Sequence, residues 1–291
     1  MLKERSDIFG KIRNAALRII LMIMMIYTGS ILVISCREDS YLYYPVKFPE
    51  NWINPPSGTQ YEELMVDDSS GWKIHGWWFP GADHGLTIVF AHGNAGHLAM
   101  RYGLVKFLLQ LSPQPAGICI YDYPGYGKSE GYPSEDNLYR SMASVRTYLN
   151  NEINQPYSSH IVFGRSLGAS VALHSALDQE SAGVVMECPM LSVPRMAEEY
   201  YPFLPGLKYF SRQRFDNERK ITRLHRPLMI IHGSDDRVIP VQQGRQLFHL
   251  ASEPKRYVEI EAADHDNVYL IDPVKYREAW ESFLILCNHE K

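Results

Sequence analysis

Short strand-like runs rich in apolar residues at 86–90, 116–121, 160–164, 183–187, 227–232 and 256–261 alternate along the chain with longer stretches of helical pattern. Continuous apolar runs of this length read as strands buried on both faces. Their alternation with helices predicts an α/β domain built on a mostly parallel sheet with flanking helices. The segments Leu64 to Asp68 and Trp72 to Phe79, joined through Ser69-Ser70-Gly71, predict instead an antiparallel hairpin at the leading edge of that sheet. The stretch 190–215 breaks the rhythm with Tyr200-Tyr201-Pro202-Phe203-Leu204-Pro205 and Tyr209-Phe210. It is expected to be either a small lid over a pocket or a packed helical connection.

Chemistry-bearing residues fall where the predicted strands end. Gly164-Arg165-Ser166-Leu167-Gly168 follows the apolar run His160-Ile161-Val162-Phe163 and precedes a helical stretch from Ala169 to Leu177. This strand, sharp turn, helix context makes a GxSxG serine an exposed nucleophile, and the glycines leave room for a crowded backbone. A serine hydroxyl needs a histidine to take its proton and a carboxylate to hold that histidine. The strand at 227–232 empties into His232-Gly233-Ser234-Asp235-Asp236, and the strand at 256–261 into Ala262-Ala263-Asp264-His265-Asp266-Asn267, ahead of a last helix from about Pro273 to Leu286. Asp236 is the expected acid and His265 the expected base. Asp235 is the competing acid, and either aspartate has a simpler role as a cap for the helix beginning near Val241. An oxyanion also needs backbone N–H donors. The residue after the serine, Leu167, and Asn94 in the turn His92-Gly93-Asn94-Ala95-Gly96 after the strand at 86–90 are expected to supply them.

The order Ser166, Asp236, His265 is that of α/β-hydrolases. Together with His92 to Gly96, Tyr121-Asp122-Tyr123-Pro124-Gly125-Tyr126-Gly127-Lys128-Ser129-Glu130-Gly131 and His232-Gly233 to Asp236 to Pro240, the chain resembles the Bem46-type branch of the α/β-hydrolase superfamily from about Leu64 to Leu286. The resemblance implies an α/β-hydrolase fold. It implies an enzyme that hydrolyses carboxylic esters or thioesters through an acyl-enzyme, with no cofactor and no metal, and it puts the acid on Asp236 and the histidine on His265. The glycine commoner before that histidine is Asp264 here. A small-molecule or lipid-like acyl ester is the expected substrate. The rivals are a peptidase or amidase sharing the triad, and a non-catalytic membrane-associated scaffold.

The N-terminus changes the setting. Ile19 to Ser35 is apolar and nearly uncharged, preceded by Lys3, Arg5, Lys11, Arg13 and Arg18 against Glu4 and Asp7. Residues 1–36 thus read as an export signal or membrane anchor outside the fold, and 37–291 as the hydrolase domain. The leading positive charge keeps the N-terminus in the cytoplasm and places the catalytic domain on the far side, the periplasmic side in a bacterium. Val33-Ile34-Ser35-Cys36 resembles a bacterial lipobox, which implies cleavage before Cys36 and its lipidation; the alternative is an uncleaved helix, at the short end of the roughly 20 residues that span a bilayer. The net charge of −4 gives no electrostatic case for nucleic acid, since Arg212, Arg214, Arg219, Lys220, Arg223 and Arg226 are mixed with Asp216 and Glu218. Cys36, Cys119, Cys188 and Cys287 have no zinc-type spacing, and Cys119 and Cys188 sit in apolar runs as buried small hydrophobes.

Overall fold

The computed structural model of the chain describes residues 2–82 and 84–289, with side chains from residue 10 to residue 288; the charges of Lys3, Glu4, Arg5 and Asp7 lie outside the described side chains. In chain order the elements are α1 Leu2–Cys36, α2 Glu38–Leu42, β1 Tyr44–Pro45, β2 Glu62–Asp67, β3 Lys73–Pro80, β4 Thr87–Ala91, β5 Ala95–Gly96, α3 Tyr102–Leu108, β6 Gly117–Tyr121 and α4 Glu135–Asn151. They continue with β7 His160–Arg165, α5 Leu167–Asp178, β8 Gly183–Glu187, α6 Val193–Tyr200, α7 Asn217–Lys220, β9 Leu228–Gly233, α8 Val241–Leu250, β10 Lys255–Ile260, α9 Val268–Ile271 and α10 Pro273–His289.

Eight strands form one sheet in the order β10-β9-β8-β7-β4-β6-β3-β2. The strands from β10 to β6 run parallel, while β3 is antiparallel to both β6 and β2. The expected hairpin is thus β2 and β3, paired from Glu62 opposite Trp78 to Asp67 opposite Lys73. The strand period of two explains why these segments are apolar throughout. In β4, Val89 and Ala91 enter one core while Ile88 and Phe90 enter the other. The first core lies under α4 and α5, through Leu138, Met142, Val145, Val171 and Leu173; the second lies under α3 and α10, through Leu104, Leu108, Tyr276, Trp280 and Phe283. From β4 the chain steps one way to β6 and from β7 onward the other way. That reversal opens a crevice beyond the carboxyl ends of β4 and β7, where open α/β sheets bind ligands.

The first helix was expected outside the fold, and its last turns are packed against it. Ile31 is buried with Leu204 and Leu207, flanked by Tyr27, Ile34, Ala197 and Tyr201. The reason is apolar area, since side chains on α1 beyond Ile26 that face residues 201–207 leave water without needing a membrane. Glu38 follows immediately and is itself buried. Its carboxylate accepts from the Arg212 amide at 2.7 Å, the Gln213 amide at 3.2 Å and the Ser211 hydroxyl.

Two histidines are held neutral in the cores. Burial, then the neighbouring Arg146 charge, depress His160 to about 3, and burial depresses His92 to about 4. The unfolded chain binds a proton at each imidazole below about pH 6.5, which the folded chain refuses until pH is near those lower values. Folded stability therefore falls as pH drops through that window, by about 1.4 kcal/mol per pH unit for each group. Urea unfolding at pH 7.5 and 5 is expected to show this loss, with a smaller slope in His160→Gln; an unchanged midpoint would refute it.

Candidate active site

Ser166 stands alone between β7 and α5 with φ 55° and ψ −120°, a backbone conformation that a non-glycine residue rarely adopts. The neighbouring glycines allow it. A Cβ on Gly164 would lie 2.0 Å from the Gly168 carbonyl oxygen, and one on Gly168 would lie 2.0 Å from the Ala91 carbonyl oxygen. The Ser166 amide is secured to the Glu187 carbonyl at 2.8 Å, so β8 also holds the turn. Gly168→Ala is expected to destabilise the fold by about 1–3 kcal/mol or more, because the clash is with backbone that cannot swing away. Chemical denaturation checks this, and an unchanged midpoint would contradict the packing argument.

The loop after β4 comes up beside the serine; a Cβ on Gly93 would sit 3.7 Å from the Ser166 Cβ. Neither the Asn94 nor the Leu167 amide has an acceptor among the described residues, and both residues line the same cavity as Ser166. The rest of Asn94 is tied down. Its carbonyl accepts from the Tyr44 amide at 2.9 Å and the Tyr126 hydroxyl at 2.7 Å, and its side-chain amide donates to the Leu42 carbonyl at 3.0 Å. The Tyr123 hydroxyl donates to the His92 carbonyl at 2.5 Å. Both tyrosines brace this loop from within the core.

Asp236 and His265 meet directly, with His265 Nδ1 2.8 Å from Asp236 Oδ2. The other carboxylate oxygen accepts from the amides of Val238 at 2.9 Å and Ile239 at 2.7 Å. His232 Nε2 lies 3.2 Å from Oδ2 and 2.9 Å from the Ile239 carbonyl. Burial pushes the Asp236 carboxyl up, but hydrogen bonds with His232 and His265, the His265 charge and the Ile239 amide outweigh it and hold it far below the usual carboxylate range. Asp235 is exposed and bonded to Ser234, and Pro240 occupies the cap position of α8, so neither aspartate caps that helix. Asp264, in place of the commoner glycine, accepts the amides of Arg237 at 3.0 Å and His265 at 2.7 Å and so shapes the turn itself.

Ser166 Oγ makes no hydrogen bond to His265 in this geometry; Arg165 connects the two loops. Its guanidinium donates to the His265 carbonyl at 2.6 Å and pairs with the buried Glu187 at 3.0 Å. Glu187 in turn accepts from the Tyr276 hydroxyl at 2.6 Å. Among the described residues, Cys188, His232 and Asp236 place donor atoms within 4.8 Å of one another. These donors do not fit a cation. Asp236 Oδ2 is engaged by His265 Nδ1 and His232 Nε2 by the Ile239 carbonyl, so two of the three donors are already bonded within the protein.

Residues 82–217 match the family model described as serine aminopeptidase, S33. An uncharacterized protein of Mycobacterium tuberculosis is 28% identical over 276 residues, covering 94% of this chain and 96% of that one. Alpha/beta hydrolase domain-containing protein 17B of Xenopus laevis is 32% identical over 199 residues, 68% of this chain and 66% of that one. An esterase structure from Pyrococcus furiosus superposes with a TM-score of 0.69 at 18% identity, over 84% of this chain and 98% of that one. The chain belongs to the α/β-hydrolase superfamily.

In this α/β-hydrolase the segment after β8 forms one side of a cavity of about 470 Å³ above Ser166. Val193, Met196, Ala197 and Tyr200 of α6 all face it, at the spacing of one helical face. Ile34, Ser35 and Leu42 line it as well. The sequence reading missed these last residues, as well as His232, Arg165 and Glu187. His232 carried a signal, standing four residues before Asp236 at the end of the same strand; the pairing of Arg165 with Glu187 across β7 and β8 left none.

Proposed function

We propose that the chain is a membrane-anchored serine hydrolase that cleaves carboxylic esters or thioesters through an acyl-enzyme. Ser166 Oγ attacks the acyl carbon and its proton passes to His265 Nε2. Asp236, ionised and bonded to Nδ1, fixes the ring and stabilises the imidazolium. The amides of Asn94 and Leu167 hold the oxyanion. The tetrahedral intermediate collapses as the imidazolium protonates the leaving alkoxide or thiolate, and water then repeats the sequence to release the acid. The observation that carries this reading is the strained Ser166 lining an apolar cavity with two unpaired amides, its neighbour Arg165 bonded to the carbonyl of the His265 that pairs with Asp236. Labelling by a fluorophosphonate tests it, with the label mapped to Ser166; absence of labelling in folded protein would sink it and favour a non-catalytic scaffold.

A peptidase reading draws support from the aminopeptidase description of the family model. An aminopeptidase needs a carboxylate to receive the substrate amine, and Glu38, on the cavity wall, has its carboxylate engaged by residues 211–213. That favours esters, and comparison of ester and amide turnover decides. The helix over Gly10–Cys36 is 27 residues long and holds an 18-residue stretch of mean hydropathy 2.4, which supports anchoring in a membrane. The positive residues before it favour a hydrolase domain outside the cytoplasm. The mass of the mature protein separates an uncleaved anchor from a chain lipidated at Cys36.

A further inference from the structure

We propose that the N-terminal helix is a wall of the acyl site, and that the substrate is a membrane-resident ester or thioester whose long acyl chain enters from the lipid along the seam between α1 and residues 201–207. This deepens the serine-hydrolase reading and rests on it. The cavity above Ser166 is walled on one side by Ile34 and Ser35, the end of the apolar helix itself. A second apolar groove of about 440 Å³ runs between that helix, from Ile23 to Ile34, and the segment Tyr201 to Leu204. Ile34 and Tyr201 border both, so the two spaces adjoin and lead from Ser166 along the helix.

The depth of the seam identifies what enters it. Ile23 precedes Cys36 by thirteen residues, about 20 Å at 1.5 Å per residue. One leaflet of hydrocarbon is about 15 Å thick, half the roughly 30 Å core, so with Cys36 at the boundary a seam running from Ile34 to Ile23 crosses the depth of the leaflet and lies open to its acyl chains. The facing segment Tyr201-Pro202-Phe203-Leu204-Pro205-Gly206-Leu207 holds no charged residue, and Phe203 is 71% exposed at its tip. Such a loop belongs in acyl chains or at their boundary. The helix is docked on it, since Ile31 packs with Leu204 and Leu207 and the Tyr27 hydroxyl donates to the Pro205 carbonyl.

The same segment reaches the oxyanion loop. The chain leaving α1 passes through Glu38, bound to residues 211–213, to Leu42 and Tyr44, which hold Asn94 by its side chain and carbonyl. Cleavage before Cys36 would remove Ile34 and Ser35 and with them one wall of the site. Lipidation at Cys36 and an intact acyl site therefore exclude each other, and the uncleaved helix is the form that binds substrate.

The test uses the full chain in phospholipid vesicles and a sixteen-carbon alkyl fluorophosphonate bearing a terminal diazirine, beside a butyl fluorophosphonate. Both are expected to label Ser166, and irradiation is expected to cross-link the long probe to peptides within 19–36 or 201–207. Cross-links confined to other segments, or labelling by the butyl probe alone, would overturn the seam while leaving the serine hydrolase standing. Failure of both probes would remove the hydrolase reading and the seam with it. Ser30→Trp, which fills the seam far from Ser166, is expected to lower the ratio of kcat/KM for hexadecanoyl over butanoyl esters by about tenfold or more. An unchanged ratio in folded protein would also overturn the proposal.

Discussion

Replacement of Ser166 by alanine is expected to lower kcat/KM for a short-chain p-nitrophenyl ester by about 10⁴- to 10⁶-fold while leaving the fold intact. The side chain of Ser166 forms no hydrogen bond within the described residues, so its removal leaves no buried partner unsatisfied. Alanine at φ 55° is no easier than serine, and the strain of the turn is unchanged. The loss is then chemical, because the water that replaces Oγ has no covalent intermediate to form. Steady-state kinetics with thermal denaturation of the same preparation makes the measurement. Retention of more than about one part in a hundred of the activity would displace Ser166 from the role of nucleophile.

The second large effect is expected at Asp236. Asp236→Asn keeps the shape of the side chain, and its oxygen can still accept the amides of Val238 and Ile239. The amide NH₂ then faces His265 Nδ1, where the carboxylate had accepted at 2.8 Å. A donor there forces Nδ1 to accept and leaves the proton on Nε2, so the ring presents the wrong tautomer toward the serine, and the charge that stabilises the imidazolium is gone. A fall in kcat of about 10⁴-fold is expected, with little change in KM for a substrate held by its acyl chain. Because Asp236 lies far below the usual carboxylate range, its ionisation contributes stability above the ordinary aspartate value that is lost only as pH falls beneath it. The variant is expected to unfold with a weaker dependence on strongly acidic pH. Activity within about tenfold of the parent would assign the acid role elsewhere.

The apolar runs announced the central parallel strands β4, β6, β7, β8 and β9 to within a residue or two, because strands buried on both faces are apolar along most of their length, whereas β10 at the sheet edge alternates apolar with polar residues. The hairpin was equally legible from its turn residues, and the placement of Ser166, Asp236 and His265 at strand ends followed from the same runs. These are local properties, dictated by side-chain period and turn chemistry.

Contacts between distant segments were decided by the fold alone. Between two adjacent aspartates local chemistry makes no choice and the family resemblance alone favoured Asp236; the path of the loop after β9 turns Asp236 inward and leaves Asp235 in water. Arg165 and Glu187 become an ion pair because β7 and β8 lie side by side, which the order of the strands determines. The N-terminal helix shows most clearly where sequence stops. Its hydropathy establishes that it must leave water, but hydrophobic attraction has no direction, and the partner that covers Ile31 and Ile34 is chosen by where residues 201–207 emerge from the sheet.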